Sequence, residues 1–297
     1  MAQHPPWLRF QAYVVGMPKT GSTSIATTFG NYRSGHEWQL RELLGCALKR
    51  QREGLSDDEF LRSAGSRLLS PALEMDSTTC HYLYVDVLAR RFPHAVFLHS
   101  VRDVRSWISS LLDMVARKRL ARRYAPMPYT TWGIDYLAML ADGCYNLDPA
   151  HNDDDSSSVL PLLRYWAQHM RTMPARLPAG RSLMIRTNDI LPRAADMAAL
   201  VGVPAATLRT DLTHTNQAPL RLDRFVAFDN EALRAAYDAH CADIMAELFP
   251  QEHAAWLAHC AQVQPKQKSG SGWLTYLNAV DRWVAEAVQR LGPGVAR

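Results

Sequence analysis

A lysine inside a short loop between two glycines is the first feature of the sequence that could bind a charged ligand. The loop spans 16–21 and contains Lys19 and Gly21, and a helix-compatible stretch follows to about Phe29. Where a strand feeds a helix in this way, backbone N–H groups converge and the helix dipole favours an anion. Gly21 lets the backbone approach a ligand closely, and hydroxyl residues at 22–24 add donors. The loop is therefore predicted to bind a phosphate-like group.

The position of the lysine separates this loop from the one that binds nucleoside triphosphates. That loop reads GxxxxGK[ST], with the lysine beside the hydroxyl residue that binds Mg²⁺. Gly16 and Gly21 keep its glycine spacing, but Ser22 follows Gly21 directly and the lysine stands at position 19. A lysine inside the loop can contact the bridging oxygen of a ligand that carries less charge than a metal-bound nucleoside triphosphate. A serine- and threonine-rich helix start with a surface lysine is the alternative interpretation.

A second anion-binding pattern follows the apolar run 94–101, which is typical of a buried strand. Arg102 closes that run, and Ser110 stands eight residues later on the helix predicted after it. Arginine suits a phosphate because its planar fork donates two hydrogen bonds. Asp103 is placed to cap the helix. A structural arginine paired with Asp103 or with another acid is the alternative.

Together the two patterns resemble the sulfotransferases that use 3′-phosphoadenosine 5′-phosphosulfate (PAPS), including bacterial members of that family. Residues 18–24 look like the family's 5′-phosphosulfate loop, P-K-[TS]-G-[ST]-T, and 102–110 look like its 3′-phosphate site. The family usually has proline or a small residue after Arg-Asp, where this chain has Val104. The resemblance implies a P-loop-like α/β fold and 3′,5′-adenosine bisphosphate (PAP) as product. It implies that the donor is held by Pro18, Lys19, Thr20, Gly21, Ser22, Thr23, Ser24, Arg102 and Ser110.

Two weaker resemblances concern the distal part of the chain. The segment 266–273 is similar to a basic loop, ending in G-x-W, that closes over the 3′-phosphate in some sulfotransferases, which implies contacts from Lys268 and Gly270. Asn216 lies where related sequences often have an asparagine near the nucleotide. A flexible basic linker explains 266–273 equally well.

Transfer to a hydroxyl group needs a base that takes the acceptor proton. The resemblance places a glutamate after a glycine-containing turn, which makes Glu37 the first candidate, and His36 beside it either hydrogen-bonds it or acts itself. His81 is the second candidate, because other family branches place an acid or a histidine on that segment, where Glu74 and Asp76 also lie. Each of these residues alone is more typical of a structural polar group. As a set, they predict one carboxylate or histidine base, assisted by the loop lysine at the leaving phosphate.

The resemblance implies a small-molecule acceptor with a hydroxyl group, and a natural product, a lipid and a saccharide stay open. No metal is expected, because the sequence has no clustered histidine–cysteine set and no HExxH motif. One alternative is a P-loop small-molecule kinase, which needs an acidic Mg²⁺ ligand such as Asp103. The other is a nucleotide-binding protein without catalysis, which would keep Lys19 and Arg102 but tolerate the loss of every candidate base.

The elements that position these residues alternate between strands and helices. Such alternation is typical of an α/β fold with a parallel sheet flanked by helices. Strands are predicted over 11–16, 70–76, 94–101 and 181–186, and helices over 82–91, after Asp103, and over 190–201 up to Gly202. A single domain over 1–297 is predicted, with 117–165 as a variable acceptor-side insertion or lid and 265–297 as a loop and an amphipathic helix.

Composition limits the classes of partner. The chain has 297 residues, 47% of them hydrophobic, and its net charge of +4 is too mild for a typical nucleic-acid-binding protein. No window is apolar enough to span a membrane, and the start of the chain has no signal-peptide pattern. Five scattered cysteines argue against a disulfide framework, so a cytoplasmic location is predicted. The apolar helical face after Trp273 favours core packing and leaves a homodimer open.

Overall fold

The computed structural model describes residues 8–69, 72–124, 159–211, 224–227 and 229–265. The chain divides into two compact units. The sheet unit comprises Met1–Arg102 and Met170–Leu220, and the helical unit comprises Asp103–His169 and Arg221–Arg297. The single domain over 1–297 stays a prediction.

Five short parallel strands of the described residues form one sheet, and all of them belong to the sheet unit. They are β1 (Ala12–Val14), β2 (Ser34–His36), β3 (Met75–Ser77), β4 (Val96–Val101) and β5 (Ser182–Arg186). Their order across the sheet is β2-β3-β1-β4-β5, and Ala12 lies opposite both Met75 and Val96. This architecture confirms the predicted α/β class with a parallel sheet flanked by helices.

Helices follow most of the strands. In chain order, the helices of the described residues are α1 (Ser22–Thr28), α2 (Leu40–Glu53), α3 (Asp57–Leu69), α4 (Val85–Arg91), α5 (Val104–Tyr124), α6 (Leu160–Arg176), α7 (Ala194–Val201), α8 (Arg224–Ala227), α9 (Glu231–His240), α10 (Ala242–Leu248) and α11 (Pro250–Gln262). Short 3₁₀ turns span His81–Tyr84, Thr187–Asp189 and Ala205–Thr207. Gly202 ends α7, as predicted, with a φ of 75° that glycine adopts without strain.

The core of the sheet unit explains why its inner strands are apolar. Val14 of β1 and Leu98 of β4 are buried together with Ile25 of α1 and Met197 of α7. A parallel sheet is covered on both faces, so its strands form continuous apolar runs rather than alternating ones. This property makes β1 and β4 visible in the sequence.

The edge strand β2 has no counterpart among the predicted strands. Its sequence contains no apolar residue that a strand pattern would detect. It pairs with β3 through the backbone, with Ser34 opposite Met75 and His36 opposite Ser77. The predicted strand 70–76 is displaced, because β3 begins only at Met75. Both corrections concern short strands whose position is set by sheet pairing.

The carboxyl ends of the parallel strands meet at one edge of the sheet. The order of the strands switches at β1, since the chain passes from β1 to one side of the sheet and reaches the other side at β4. In open α/β sheets, ligands bind outside the carboxyl ends of the strands at such a switch point. The predicted anion loop, 16–21, leaves β1 at this place.

In the helical unit, α5 begins as predicted. The Asp103 carboxylate accepts a hydrogen bond from the Ser106 N–H at 2.9 Å, which caps the helix. Trp107, Ile108 and Leu111 are buried, as the helical spacing of apolar residues predicts. Among the helices that the structure describes, none is long and apolar enough to cross a membrane.

Glu74 is buried and engaged in structural contacts, which separates it from the other candidate bases. Its Oε1 accepts from the Arg9 backbone N–H at 2.9 Å, and its Oε2 accepts from the Arg33 N–H at 3.0 Å. The Arg9 guanidinium adds a bidentate pair with both contacts at 2.8 Å. Burial opposes the charged form, but these hydrogen bonds outweigh it and lower the pKa of Glu74 to about 2.

We expect Glu74→Gln to lower the free energy of unfolding by about 2–3 kcal/mol at pH 7, because donors from Arg9 and Arg33 lose their charged acceptor. Urea unfolding measures this loss, with Glu53→Gln on an exposed pair as control. The folded pKa lies below the ordinary 4.5, so the stabilisation is present above about pH 4.5 and disappears as the pH falls towards 2. A difference that stays constant down to pH 2 would contradict this assignment.

Candidate active site

The predicted anion loop is packed tightly on the end of β4. The Thr20 hydroxyl donates to the Met17 carbonyl at 2.6 Å and lies 2.8 Å from the Ser100 hydroxyl. A Cβ on Gly16 would lie 2.0 Å from that Ser100 oxygen, so a larger residue at this position would displace the loop. Packing and internal hydrogen bonds therefore set the loop's shape.

Two side chains from neighbouring strand ends brace the loop. Arg102, after β4, donates from Nη1 to the Lys19 carbonyl at 3.3 Å. The Thr187 hydroxyl, after β5, lies 2.9 Å from the Thr20 carbonyl and 3.0 Å from the Val101 carbonyl. No local pattern marks Thr187 in the sequence, because its place beside the loop depends on the sheet order β1-β4-β5.

Lys19, His36 and Glu37 come together beside the loop. Nε2 of His36 lies 3.2 Å from Oγ of Ser22 and 3.1 Å from Oγ1 of Thr23. The same nitrogen lies 3.3 Å from Oε1 of Glu37. Burial, and then the positive charge of Lys19, lower the pKa of His36 to about 4, so this imidazole is neutral near pH 7. One ring nitrogen thus links the hydroxyl groups at the start of α1 to the first candidate base.

Glu37 combines a left-handed backbone with a largely buried carboxyl group. Its φ is 58°, and the Thr79 hydroxyl donates to its Oε2 at 3.2 Å. Burial is the main cause that raises the pKa of Glu37 to about 7; Thr79 and His81 limit this rise, and the carboxylate of Asp76 adds to it. A carboxyl group with such a pKa can both accept and release a proton near neutral pH.

His81 and Asp76 are enclosed by the protein. His81 has no exposed surface, and its ring packs edge-on against Tyr13 with 5.1 Å between the ring centroids. Its Nε2 lies 3.5 Å from Oδ2 of Asp76. The other oxygen of Asp76 accepts a hydrogen bond from the Thr78 hydroxyl at 2.7 Å. Thr78 thus satisfies one oxygen of Asp76, whereas the two ring nitrogens of His81 have no hydrogen-bond partner among the described residues.

The remaining predicted contacts are distributed over both units. Arg102 belongs to the sheet unit, whereas Ser110 lies on α5 in the helical unit and is half-buried. Asn216, Lys268 and Gly270 lie outside the described residues, as do most of the predicted insertion and of the predicted C-terminal segment. The other predicted residues lie in the loop and at the start of α1, namely Pro18, Thr20, Gly21, Ser22, Thr23 and Ser24.

Gly21 has two structural reasons to be glycine. Its φ of 103° is disfavoured for other residues, and a Cβ would lie 2.4 Å from Cδ1 of Ile190. We expect Gly21→Ala to displace the loop and to weaken its affinity for PAP about tenfold or more, which corresponds to about 1.4 kcal/mol. Isothermal titration calorimetry measures this loss.

Gly54→Ala is the matched control for that substitution. Gly54 also has a positive φ, 64°, but a Cβ there meets none of the described atoms within 4 Å. This variant should lose about 1 kcal/mol of stability through backbone strain and should keep the affinity for PAP. Equal losses of affinity in the two variants would contradict the predicted role of the loop.

The fold and the site define a class of enzyme, which a comparison with known families identifies. The model of a family described as a sulfotransferase domain matches residues 12–190, more than half of the chain. The match includes Lys19, Glu37 and Arg102. The chain therefore belongs to the sulfotransferase family and is a sulfotransferase. A search of curated proteins found no match.

Several solved structures are similar to the chain. Sulfotransferase STF9 from Mycobacterium avium is 16% identical, with 82% of this chain and 78% of that chain covered and a TM-score of 0.46. The sulfotransferase domain from the curacin biosynthetic pathway is 14% identical over 77% of this chain and 96% of that one, with a TM-score of 0.38. The sulfotransferase domain of the Synechococcus PCC 7002 olefin synthase is 14% identical over 74% and 85%, with a TM-score of 0.35.

Proposed function

We propose that the protein transfers a sulfuryl group from PAPS to a hydroxyl group of a small-molecule acceptor and releases PAP. The observation that carries the proposal concerns two groups on either side of His36. Glu37, whose pKa is raised to about 7, lies 3.3 Å from the His36 ring, and the charge of Lys19 in the loop acts on the same ring. The positive charge of the lysine can stabilise the negative charge that develops on a leaving phosphate. The carboxyl group can accept the proton of an attacking hydroxyl group.

The residues around the loop fit a donor with several negative charges. Lys19 and Arg102 bring two positive charges to it, and Arg102 also holds the Lys19 carbonyl. A guanidinium has five N–H donors, so this contact is compatible with a further bidentate contact to the 3′-phosphate. Ser110 stays a predicted contact to the donor. The 3′-phosphate distinguishes PAPS from ATP, so Arg102 would set the choice of donor.

The proposed chemistry divides between two side chains. PAPS supplies a sulfuryl group whose bond to the 5′-phosphate breaks as a new bond to the acceptor oxygen forms. Glu37 takes the proton of the acceptor hydroxyl as this oxygen attacks. Lys19, with the hydroxyls and amides of 20–24, stabilises the negative charge left on the phosphate oxygen. Nε2 of neutral His36 lies within hydrogen-bonding distance of the hydroxyls of Ser22 and Thr23 and 3.3 Å from Oε1 of Glu37.

The environment of each candidate favours Glu37 as the base. His36 has a pKa of about 4, which makes its neutral ring a weak proton acceptor near pH 7. His81 has no exposed surface that would touch an acceptor. Oδ1 of Asp76 already accepts a hydrogen bond from Thr78. Glu37, in contrast, is part-exposed and titrates in the range that a base needs.

The contacts of Asp103 weaken the kinase alternative. A P-loop kinase needs an acidic residue at a strand end for Mg²⁺. Asp103 follows β4, but both of its oxygens accept hydrogen bonds from Ser106, one from the N–H and one from the hydroxyl. The lysine at position 19 rather than after Gly21 also speaks against such a site. A binding protein without catalysis would leave the raised pKa of Glu37 without a use.

The acceptor side of the proposal rests on the family resemblance. We propose a small-molecule hydroxyl compound as partner, without a role for nucleic acid or for an integral membrane segment, and a cytoplasmic site of action. Asn216, Lys268 and Gly270 stay predicted contacts to the donor. A homodimer stays open.

Isotope transfer tests the proposed reaction. The protein is incubated with ³⁵S-labelled PAPS and a pool of natural-product, lipid and saccharide alcohols, and in parallel with γ-³²P-labelled ATP, Mg²⁺ and the same pool. We expect ³⁵S to enter hydroxyl compounds with release of one PAP per label. Transfer of ³²P in place of ³⁵S would contradict the proposal and favour the kinase.

A further inference from the structure

The carboxyl group of Glu37 is held at one of its two oxygens. Oε2 accepts a hydrogen bond from the Thr79 hydroxyl at 3.2 Å. Oε1 lies on the side of His36, 3.3 Å from its Nε2. The two oxygens therefore differ, because one faces a buried donor and the other faces the loop hydroxyls through His36.

Thr79 is itself fixed in place. It is buried, and it lies between the end of β3 and the 3₁₀ turn His81–Tyr84. Two residues before it, the Ser77 hydroxyl donates to the Ser22 carbonyl, at the start of α1, at 2.7 Å. The Glu37 N–H also points at the Ser77 carbonyl, 3.5 Å away. The segment 77–79 thus contacts the anion loop at one end and the base at the other.

Glu37 needs such support more than an ordinary glutamate would. Its backbone has a φ of 58°, and Gln39 two residues later has a φ of 48°. Non-glycine residues are strained in this region and persist only where surrounding contacts impose them. A glutamate side chain also has three rotatable bonds, whose freedom must be removed for a base to stay within hydrogen-bonding reach of an acceptor.

We propose that Thr79 is a positioning residue that holds Oε2 of Glu37 at a set place relative to the anion loop, which leaves Oε1 to take the acceptor proton. This inference rests on the proposed function of Glu37 as the base. The proton passes from the acceptor hydroxyl to Oε1, and Thr79 neither gains nor loses a proton. The hydroxyl group of Thr79 stabilises the charged form of Glu37, so it also limits how strongly the carboxyl group holds its proton.

The charged and titratable groups that face Glu37 come from three places. His36 lies on β2, and Lys19 acts on His36 from the anion loop. Asp76 lies on β3, Cys80 follows that strand, and His81 begins the next turn. None of them is altered when the Thr79 hydroxyl is removed, so a change in the titration of Glu37 would report on that hydroxyl.

The test is a titration of Glu37 in ligand-free protein, for wild type, Thr79→Val and Thr79→Ser. Carboxyl carbons are observed by NMR after ¹³C labelling of glutamate, and Glu37→Gln identifies the Glu37 signal. We expect Thr79→Val to strengthen the proton affinity of Glu37 about three- to tenfold, a rise in pKa of about half to one unit, and Thr79→Ser to restore it. A Glu37 titration that is the same in all three proteins would overturn the proposal.

Thr78→Val is the matched control. The Thr78 hydroxyl is also buried, but it contacts Asp76 and the Trp38 carbonyl instead of the Glu37 carboxyl group. It should therefore move the Glu37 titration much less than Thr79→Val does. An equal shift from the two variants would mean that general loosening of this segment, rather than the Thr79 hydroxyl, is responsible, and would count against the proposal.

A second readout separates failure of this inference from failure of the proposed function. Release of PAP from PAPS is followed for Thr79→Val, Glu37→Gln and the double variant, with phenol as the probe, because its hydroxyl group keeps its proton near pH 7. We expect kcat to fall about tenfold for Thr79→Val, with PAP affinity unchanged and no additional loss in the double variant. If Glu37→Gln retains full turnover, Glu37 is not the base, and the positioning role of Thr79 is overturned with it, whatever the titration shows of the hydrogen bond. If Glu37→Gln is inactive but Thr79→Val has wild-type kcat and titration, only the positioning role fails.

Discussion

Replacing Glu37 with glutamine is expected to lower turnover about 10³-fold, because general bases contribute about 10²–10⁴-fold to rate and an amide cannot take the acceptor proton. The affinity for PAP should change little, since the binding groups of the loop remain. Glu42→Gln, on the exposed side of α2, is the control for removal of a negative charge. A Glu37→Gln variant with at least a tenth of wild-type turnover would contradict the assignment of the base.

The pH dependence gives the same assignment a second check. As the proposed base, Glu37 would act only when deprotonated, and its pKa is raised to about 7. The rate should therefore fall about tenfold per unit below pH 7 and level off above it. Because burial raises this pKa above the ordinary 4.5, ionisation of Glu37 costs folding stability above about pH 4.5, and the full cost is reached above pH 7. Glu37→Gln should thus be more stable than the wild type at pH 8, by about 2 kcal/mol, as measured by urea unfolding.

Replacing Lys19 with methionine is expected to reduce both binding and turnover. The substitution keeps much of the side-chain length but removes the charge that we propose faces the donor. We expect PAP affinity to fall about 10–100-fold. We expect turnover to fall by about 10²–10³-fold in addition, because charge stabilisation matters most when the leaving phosphate forms. Calorimetry and PAP release measure the two effects.

The pKa of His36 gives an independent readout of the Lys19→Met substitution. The charge of Lys19 is one cause of the low pKa of His36, after burial. Lys19→Met should therefore raise that pKa, which ring-proton NMR of the ligand-free protein can follow. Lys49→Met, in an exposed pair with Glu53, is the control. Unchanged PAP affinity together with an unchanged His36 titration would place Lys19 outside the site.

The sequence predicts those parts of the site whose signal is local. The glycines around Lys19 and the distance from Arg102 to Ser110 are spacings along the chain, so they are visible without a structure. The apolar runs of β1 and β4 are visible for the same reason. Gly202 could be placed because a helix that ends in a left-handed residue favours glycine.

The parts that the sequence does not predict depend on the order of the strands. Thr187 reaches the loop only because β5 lies beside β4. Thr79 reaches Glu37 only because β2 pairs with β3, and β2 has no apolar residue to reveal it. Tertiary partners likewise separate the candidate bases: hydrogen bonds from Arg9 and Arg33 hold the pKa of buried Glu74 low, whereas burial raises the pKa of Glu37.

The most direct measurement is calorimetric binding of PAP, compared with ATP and Mg²⁺, to the wild type, Arg102→Ala and Arg102→Lys. A PAPS-dependent enzyme should bind PAP tightly and ATP poorly, and Arg102→Ala should weaken PAP binding by about 10–100-fold. Arg102→Lys should recover only part of this loss, because an ammonium group cannot reproduce the bidentate contact. ATP with Mg²⁺ binding as well as PAP, with no effect of Arg102→Ala on PAP, would contradict the assignment of PAPS as the donor.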